Sequence, residues 1–148
     1  MDKILIATDG SEASKEAVEF GVDLAREEDA AVIFVHVVPE LDRVPMNGYG
    51  FAGALPHEPV DDDLRPLDEA EAVAERADVP SNRKLLAGDV VDEIVAYADN
   101  LDVDLIVVGS RGHGSLAGIL LGSVSRGVLS ESKRPVLVVR GRTPVAAT

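Results

Sequence analysis

Five short apolar runs constrain this chain more than anything else in it: "KILIATD" at 3–9, "AVIFVHVV" at 31–38, "RKLLAG" at 83–88, "DLIVVG" at 104–109 and "PVLVV" at 135–139. They are rich in Val and Ile, bounded by turn residues, and nearly continuous rather than alternating. A strand with water on one face alternates; a strand buried on both faces does not, so the runs predict a parallel sheet covered by helices.

The intervening segments have helical spacing. Residues 11–28 put Ala13, Ala17, Phe20, Gly21 and Leu24 on one face behind a Ser11 cap. Residues 61–78 open on three aspartates that suit a helix N-terminus and bury Leu64, Leu67, Ala70, Val73, Ala74 and Ala77, with Pro66 near the start. Residues 89–101 follow Asp89 with Val91, Ile94, Val95, Ala98 and Leu101, and a last helix runs from Ser123 to about Ser132 before Pro135.

Strand and helix in alternation give an α/β fold: an open, doubly wound five-stranded parallel sheet in order 3-2-1-4-5, counting the five runs, with helices on both faces. The length fits one domain, 1–148, with 141–148 as a flexible tail. Residues 39–60 form a long Gly- and Pro-containing connection that reads either as a surface excursion or as a lid. Ligands of such sheets bind beyond the carboxyl ends of the strands at the switch point, here between strands 1 and 4, where Asp9 meets Gly109.

Composition removes several function classes. No cysteine is present, and His36, His57 and His113 make no ligand pair at helical spacing, so a structural metal is not expected. No apolar run reaches the ~20 residues that span a bilayer, and the start lacks a signal-peptide pattern, which predicts a cytoplasmic protein with no membrane partner. A net charge of −13 without a basic stripe argues against nucleic acid. Aspartates outnumber glutamates and arginines outnumber lysines ten to four, a balance that reads as a solubility surface or as adaptation to molar salt.

The segment "GSRGHGSLAGILLGSVS", 109–125, holds five glycines. Gly109 and Gly112, three apart, suit a turn that presents backbone N–H groups to an anion, and Gly122 with Ser123 opens a helix whose N–H groups attract negative charge. Gly-Ser before a helix is also ordinary capping, and Asp9 is also the residue an Asx turn needs.

With "ILIATDGSE", "VHVV" and "SKRPVLVVR" around it, this pattern, G-x-x-G, nine residues, then G-S, resembles the nucleotide-binding branch of the universal stress protein family over residues 1–140. The acidic composition would fit a halophilic archaeon as the source. The resemblance implies a fold like that of the adenine nucleotide alpha hydrolases and a site for ATP, or AMP or ADP, with Mg. Asp9 would lie near the ribose and the metal-bound phosphates, beside Ala7 and Thr8, and would meet the metal only through the nucleotide. Val37 would read adenine with its backbone, Val108 and Gly109 would form the floor, and Ser110 and Gly112 the first phosphate loop. Gly122, Ser123 and Val124 would form the second. Arg111 is either a phosphate contact or a solvated charge. The resemblance also implies a homodimer through the last strand, near Val136 and Val138.

The reading that follows is an ATP-binding, dimeric regulatory domain of the stress response with little or no hydrolysis. The alternatives are a slow ATPase or phosphotransferase, disfavoured by the lack of a Walker lysine and of an acid–base pair, and a nucleotide-free dimeric scaffold. A flavoprotein fits less well, because "TDGSEAS" is not a hydroxyl-rich phosphate loop.

Overall fold

The computed structural model describes residues 1–45, 51–110 and 121–140. Its elements run β1 (Lys3–Ala7), α1 (Glu12–Glu28), β2 (Ala31–Val38), β3 (Leu41–Pro45), β4 (Phe51–Pro56), α2 (Asp61–Arg76), β5 (Ser81–Ala87), α3 (Val90–Leu101), β6 (Leu105–Gly109), α4 (Ser123–Glu131) and β7 (Val136–Val139). Five strands form one parallel sheet in the order β5-β2-β1-β6-β7. Counting only these five, that is the expected 3-2-1-4-5 order, and all five apolar runs lie in it.

The continuous hydrophobicity is explained by two cores, one on each face. Ile4, Ile6, Val32, Phe34 and Val107 pack with Ala17, Val18 and Val22 of α1 and Leu67, Ala70 and Ala74 of α2. Their neighbours Leu5, Ile33, Val35, Ile106 and Val108 point the other way, into Ile94 and Ala98 of α3 and Val128 of α4. Successive residues of β1, β2 and β6 thus serve opposite cores, which is why these strands are apolar nearly throughout, whereas the edge strand β5 keeps Asn82, Arg83 and Lys84 exposed.

Three local readings change. Phe20, placed on the buried face of α1 by its spacing, is 40% exposed. The buried stripe of α1 runs through Ser14, Val18, Gly21 and Ala25, and a step of one residue turns about 100° away from it. Pro66 lies inside α2 rather than in its first turn, so its missing N–H removes the bond to the Asp62 carbonyl. The 39–60 connection contains an antiparallel hairpin, β3 with β4. The 141–148 segment lies outside the described residues.

The base of this hairpin is tied down. His57 N–H donates to the Glu40 carbonyl at 2.9 Å, and the His57 imidazole meets Asp63 Oδ2 at 2.7 Å. The same carboxylate oxygen accepts the Val60 N–H at 3.0 Å. That N–H, and after it His57, holds the Asp63 carboxyl below its usual range, with a smaller contribution from His36.

Candidate nucleotide site

At the carboxyl ends of β1, β2 and β6 the sheet opens into a cavity of about 260 Å³. One wall is aliphatic: Val35 and Val37 from β2, Val108 from β6, Val90 and Ile94 from α3 and Val124 from α4. The cavity is also lined by polar residues and glycines: Thr8, Asp9, Ser11, Ser14, His36, Gly109, Gly122 and Ser125. An apolar slot beside a cluster of small hydroxyl and glycine residues suits a ligand with a flat, weakly polar part and an anionic part.

The turn after β1 supplies much of the polar side. Gly10 has φ +82°, a left-handed conformation that glycine takes without strain, and a Cβ there would press on Pro66 of α2 at 3.3 Å. Asp9 Oδ1 accepts the Ser11 N–H at 2.9 Å, an Asx turn. Ser11 then caps α1 through the Ser14 N–H at 3.3 Å. Asp9 is exposed at the cavity rim.

Val37 occupies a special place in the ladder. The β1–β2 pairing ends at Ala7 with Val35, after which the Thr8 N–H donates to the Val35 carbonyl at 2.9 Å. Backbone groups two residues apart in a strand point to the same side. The N–H and C=O of Val37 therefore face the side that β1 has just vacated, toward the cavity.

The glycines divide into different roles. Gly109 sits against α1: a Cβ there would lie 2.5 Å from the Ala13 carbonyl oxygen. Gly122 is extended, with φ −68° and ψ 168°, so its conformation does not demand glycine. It precedes α4 as a cap residue with no side-chain hydrogen bond to the first turn, leaving the helix N-terminus to the cavity.

Of the residues singled out in the sequence, Ala7, Thr8, Asp9, Val37, Val108, Gly109, Gly122 and Val124 line one cavity. Ser110 is buried and extends the β6–β7 ladder, its N–H donating to the Val139 carbonyl at 2.9 Å, and it is not a lining residue. Ser123 is exposed on α4 and does not line the cavity; Ser125 does, with its Oγ donating to the Gly122 carbonyl at 3.0 Å. Arg111 and Gly112, and with them His113, lie outside the described residues. Sequence reasoning passed over Ser11, Ser14, Val90, Ile94 and Ser125 as site residues. The last of these had a signal, since Ser125 lies three residues before the buried Val128 on the same helical face.

Among the described residues no group of three or more His, Asp or Glu side chains is arranged to hold a metal ion. Asp9 offers one hard oxygen donor, which fits a Mg ion carried chiefly by phosphates rather than by a protein cage. No helix among the described residues is long and apolar enough to cross a membrane.

Comparison with known proteins gives one answer. The family model described as the universal stress protein family matches residues 1–140. A universal stress protein of Methanocaldococcus jannaschii is 35% identical over 93% of this chain and 81% of its own length. One from Bacillus subtilis is 34% identical over 94% of this chain and 99% of its own. Among solved structures, a universal stress protein in complex with cAMP superposes with a TM-score of 0.70 at 29% identity, covering 93% of this chain and 95% of that one. A universal stress protein from Archaeoglobus fulgidus shares the fold with a TM-score of 0.72 at 23% identity, covering 93% and 97%. With this coverage from end to end of the sheet, the chain belongs to the universal stress protein family.

Proposed function

We propose that this chain is a nucleotide-binding regulatory domain that takes ATP, or AMP or ADP, in the cavity at the switch point. The observation that carries the reading is the cavity itself. Its lining brings aliphatic side chains together with the outward-facing backbone of Val37 and the start of α4, where Gly122 offers no side-chain cap. The wall and the Val37 backbone take the base, and the helix N-terminus takes phosphate. A family member at 29% identity was solved with cAMP, which supports an adenine ligand.

Where a polyphosphate carries Mg, Asp9 would meet that ion only through the nucleotide. The residues that hold the nucleotide are Ala7, Thr8, Asp9, Val37, Val108, Gly109, Gly122 and Val124, with Ser125 added from the geometry. The family resemblance assigns Ser110 and Gly112 to the first phosphate loop, with Arg111 either a phosphate contact or a solvated charge. Hydrolysis is slow or absent, because phosphoryl transfer needs concentrated positive charge at the γ-phosphate and the chain has no Walker lysine.

The working unit is a homodimer through β7. This strand is at the sheet edge, and Val136 and Val138 remain only partly buried there, an invitation to pair with a second copy. Light scattering at micromolar concentration is expected to give twice the chain mass, and a monomer would remove the dimer. For the ligand, purified protein is denatured and the released small molecules are identified by mass spectrometry. An adenine nucleotide is expected; a chain that carries none and shows no heat with Mg-ATP, AMP or cAMP would overturn the reading.

A further inference from the structure

One peptide unit at the site is held at both ends by side chains. The Thr8 carbonyl lies 2.9 Å from Nδ1 of His36, and a carbonyl can only accept, so Nδ1 carries a proton. The N–H of the same peptide, that of Asp9, donates to Ser14 Oγ at 3.3 Å. One grip comes from β2 and the other from α1.

The protons of the neighbouring hydroxyls can be assigned in full. Ser14 Oγ has one hydrogen and gives it to the Ser11 carbonyl at 3.0 Å. In the 3.1 Å contact between Thr8 Oγ1 and Ser14 Oγ, Thr8 is therefore the donor. Thr8 Oγ1 in turn accepts the Gly10 N–H at 3.3 Å. Ser14 Oγ, with two donors aimed at it and its hydrogen spent, is saturated, and Thr8 has no hydrogen left for a ligand. Thr8 and Ser14 are buried, at 5% and 6% exposure. These groups line the cavity, yet their hydrogen bonds are spent on the turn.

We infer that His36 and Ser14 are positioning residues: they fix the Thr8–Asp9 peptide plane and so aim the Asp9 carboxylate at the metal-bound phosphates. The inference rests on the nucleotide reading above. Both groups act through Asp9 rather than on the ligand.

The test is a set of calorimetric titrations with Mg-ATP, in the wild-type chain and in an Asp9→Asn background. Asp9→Asn keeps the oxygen that accepts the Ser11 N–H and removes the charge. His36→Leu and Ser14→Ala are each expected to weaken binding about tenfold in the wild-type background, the scale of one lost hydrogen bond, and less than about twofold in Asp9→Asn. His36→Asn places an amide N–H the same number of bonds from the backbone as Nδ1 and is expected to recover wild-type affinity within about twofold. The His36 pair keeps the test open should Ser14→Ala fail to fold. Equal losses in both backgrounds, or no recovery by His36→Asn, overturns the inference alone. A wild-type chain without affinity for Mg-ATP overturns the nucleotide reading and the inference with it.

Discussion

Gly109 and Ala13 touch backbone to backbone: a Cβ on residue 109 would lie 2.5 Å from the Ala13 carbonyl oxygen and 2.7 Å from its carbon. The first turn of α1 therefore rests directly on the end of β6. Gly109→Ala must push that turn away, and the obstacle is backbone rather than a side chain that can rotate. A loss of about 1–3 kcal/mol is expected, as for other overpacked sites. Urea unfolding checks it, and a change within about 0.5 kcal/mol would show that α1 yields freely.

Gly122→Val separates the fold from the site. The conformation at Gly122 is one that valine adopts readily, so the unfolding midpoint is expected to stay close to wild type. The new side chain enters the cavity wall, and Mg-ATP affinity measured by calorimetry is expected to fall at least about tenfold through lost charge-assisted hydrogen bonds. Unchanged affinity in a folded variant would mean that phosphate does not approach α4.

The Asp63 carboxyl has a pH signature. Its pKa is lowered in the folded chain, first by the Val60 N–H and then by His57. Its stabilisation is therefore complete above the unfolded carboxylate value of about 3.9 and is lost as pH falls through the lower folded value. Asp63→Asn is expected to flatten the acid limb of stability below about pH 4. Denaturant midpoints at a series of acid pH values test this, and parallel limbs for the two chains would refute it.

Asp29 and Asp78 follow helix ends with φ of 56° each, and they put negative charge where a helix already presents carbonyls. Asp29→Gly and Asp78→Gly relieve both the left-handed strain and the repulsion, while glycine adds freedom to the unfolded chain. A net gain of a few tenths to about 1 kcal/mol is expected from each. Asp102 has the same φ class but pairs with Arg134 at 2.9 Å, so Asp102→Gly is expected to gain less. Thermal melts of the three variants give the order.

A net charge of −13 on 148 residues implies self-repulsion that salt screens. The midpoint temperature is expected to rise between low salt and molar KCl. Superposing melts would show that the acidity has no such cost.

The strands were legible because burial on both faces leaves a direct trace in the sequence: "LIVV" at 105–108 alternates between two cores, so every position is apolar. The hairpin was not legible, since "LDRVP" does not alternate and "FAGALP" is built on Gly, Ala and Pro without a β-branched residue. At the site, Asp9 and Gly109 could be placed by topology alone. His36 and Ser14 could not, because their bonds to one peptide unit exist only once β2 and α1 converge on it. Ser123 was chosen over Ser125 by motif spacing, although helical phase turns Ser125 inward. Outside the motif, Gly10 takes a positive φ of 82° where the turn after β1 requires it, while Gly122 within the motif is extended.

The middle of the sheet joins β1 to β6, and just below that seam the Asp2 N–H reaches Asp104 Oδ2, 102 residues further along the chain. During synthesis the elements from β1 through α3 leave the ribosome before β6, and in that piece β2 has both of its partners and β1 has only one. The other edge of β1, Ile4–Leu5–Ile6, remains bare until β6 emerges. An apolar open edge of this kind pairs with whatever strand is near, so a chain stalled or clipped before residue 105 is expected to aggregate rather than stay soluble. The cavity has walls from both sides of the seam. The site is therefore complete only after the last third of the sequence has closed the sheet.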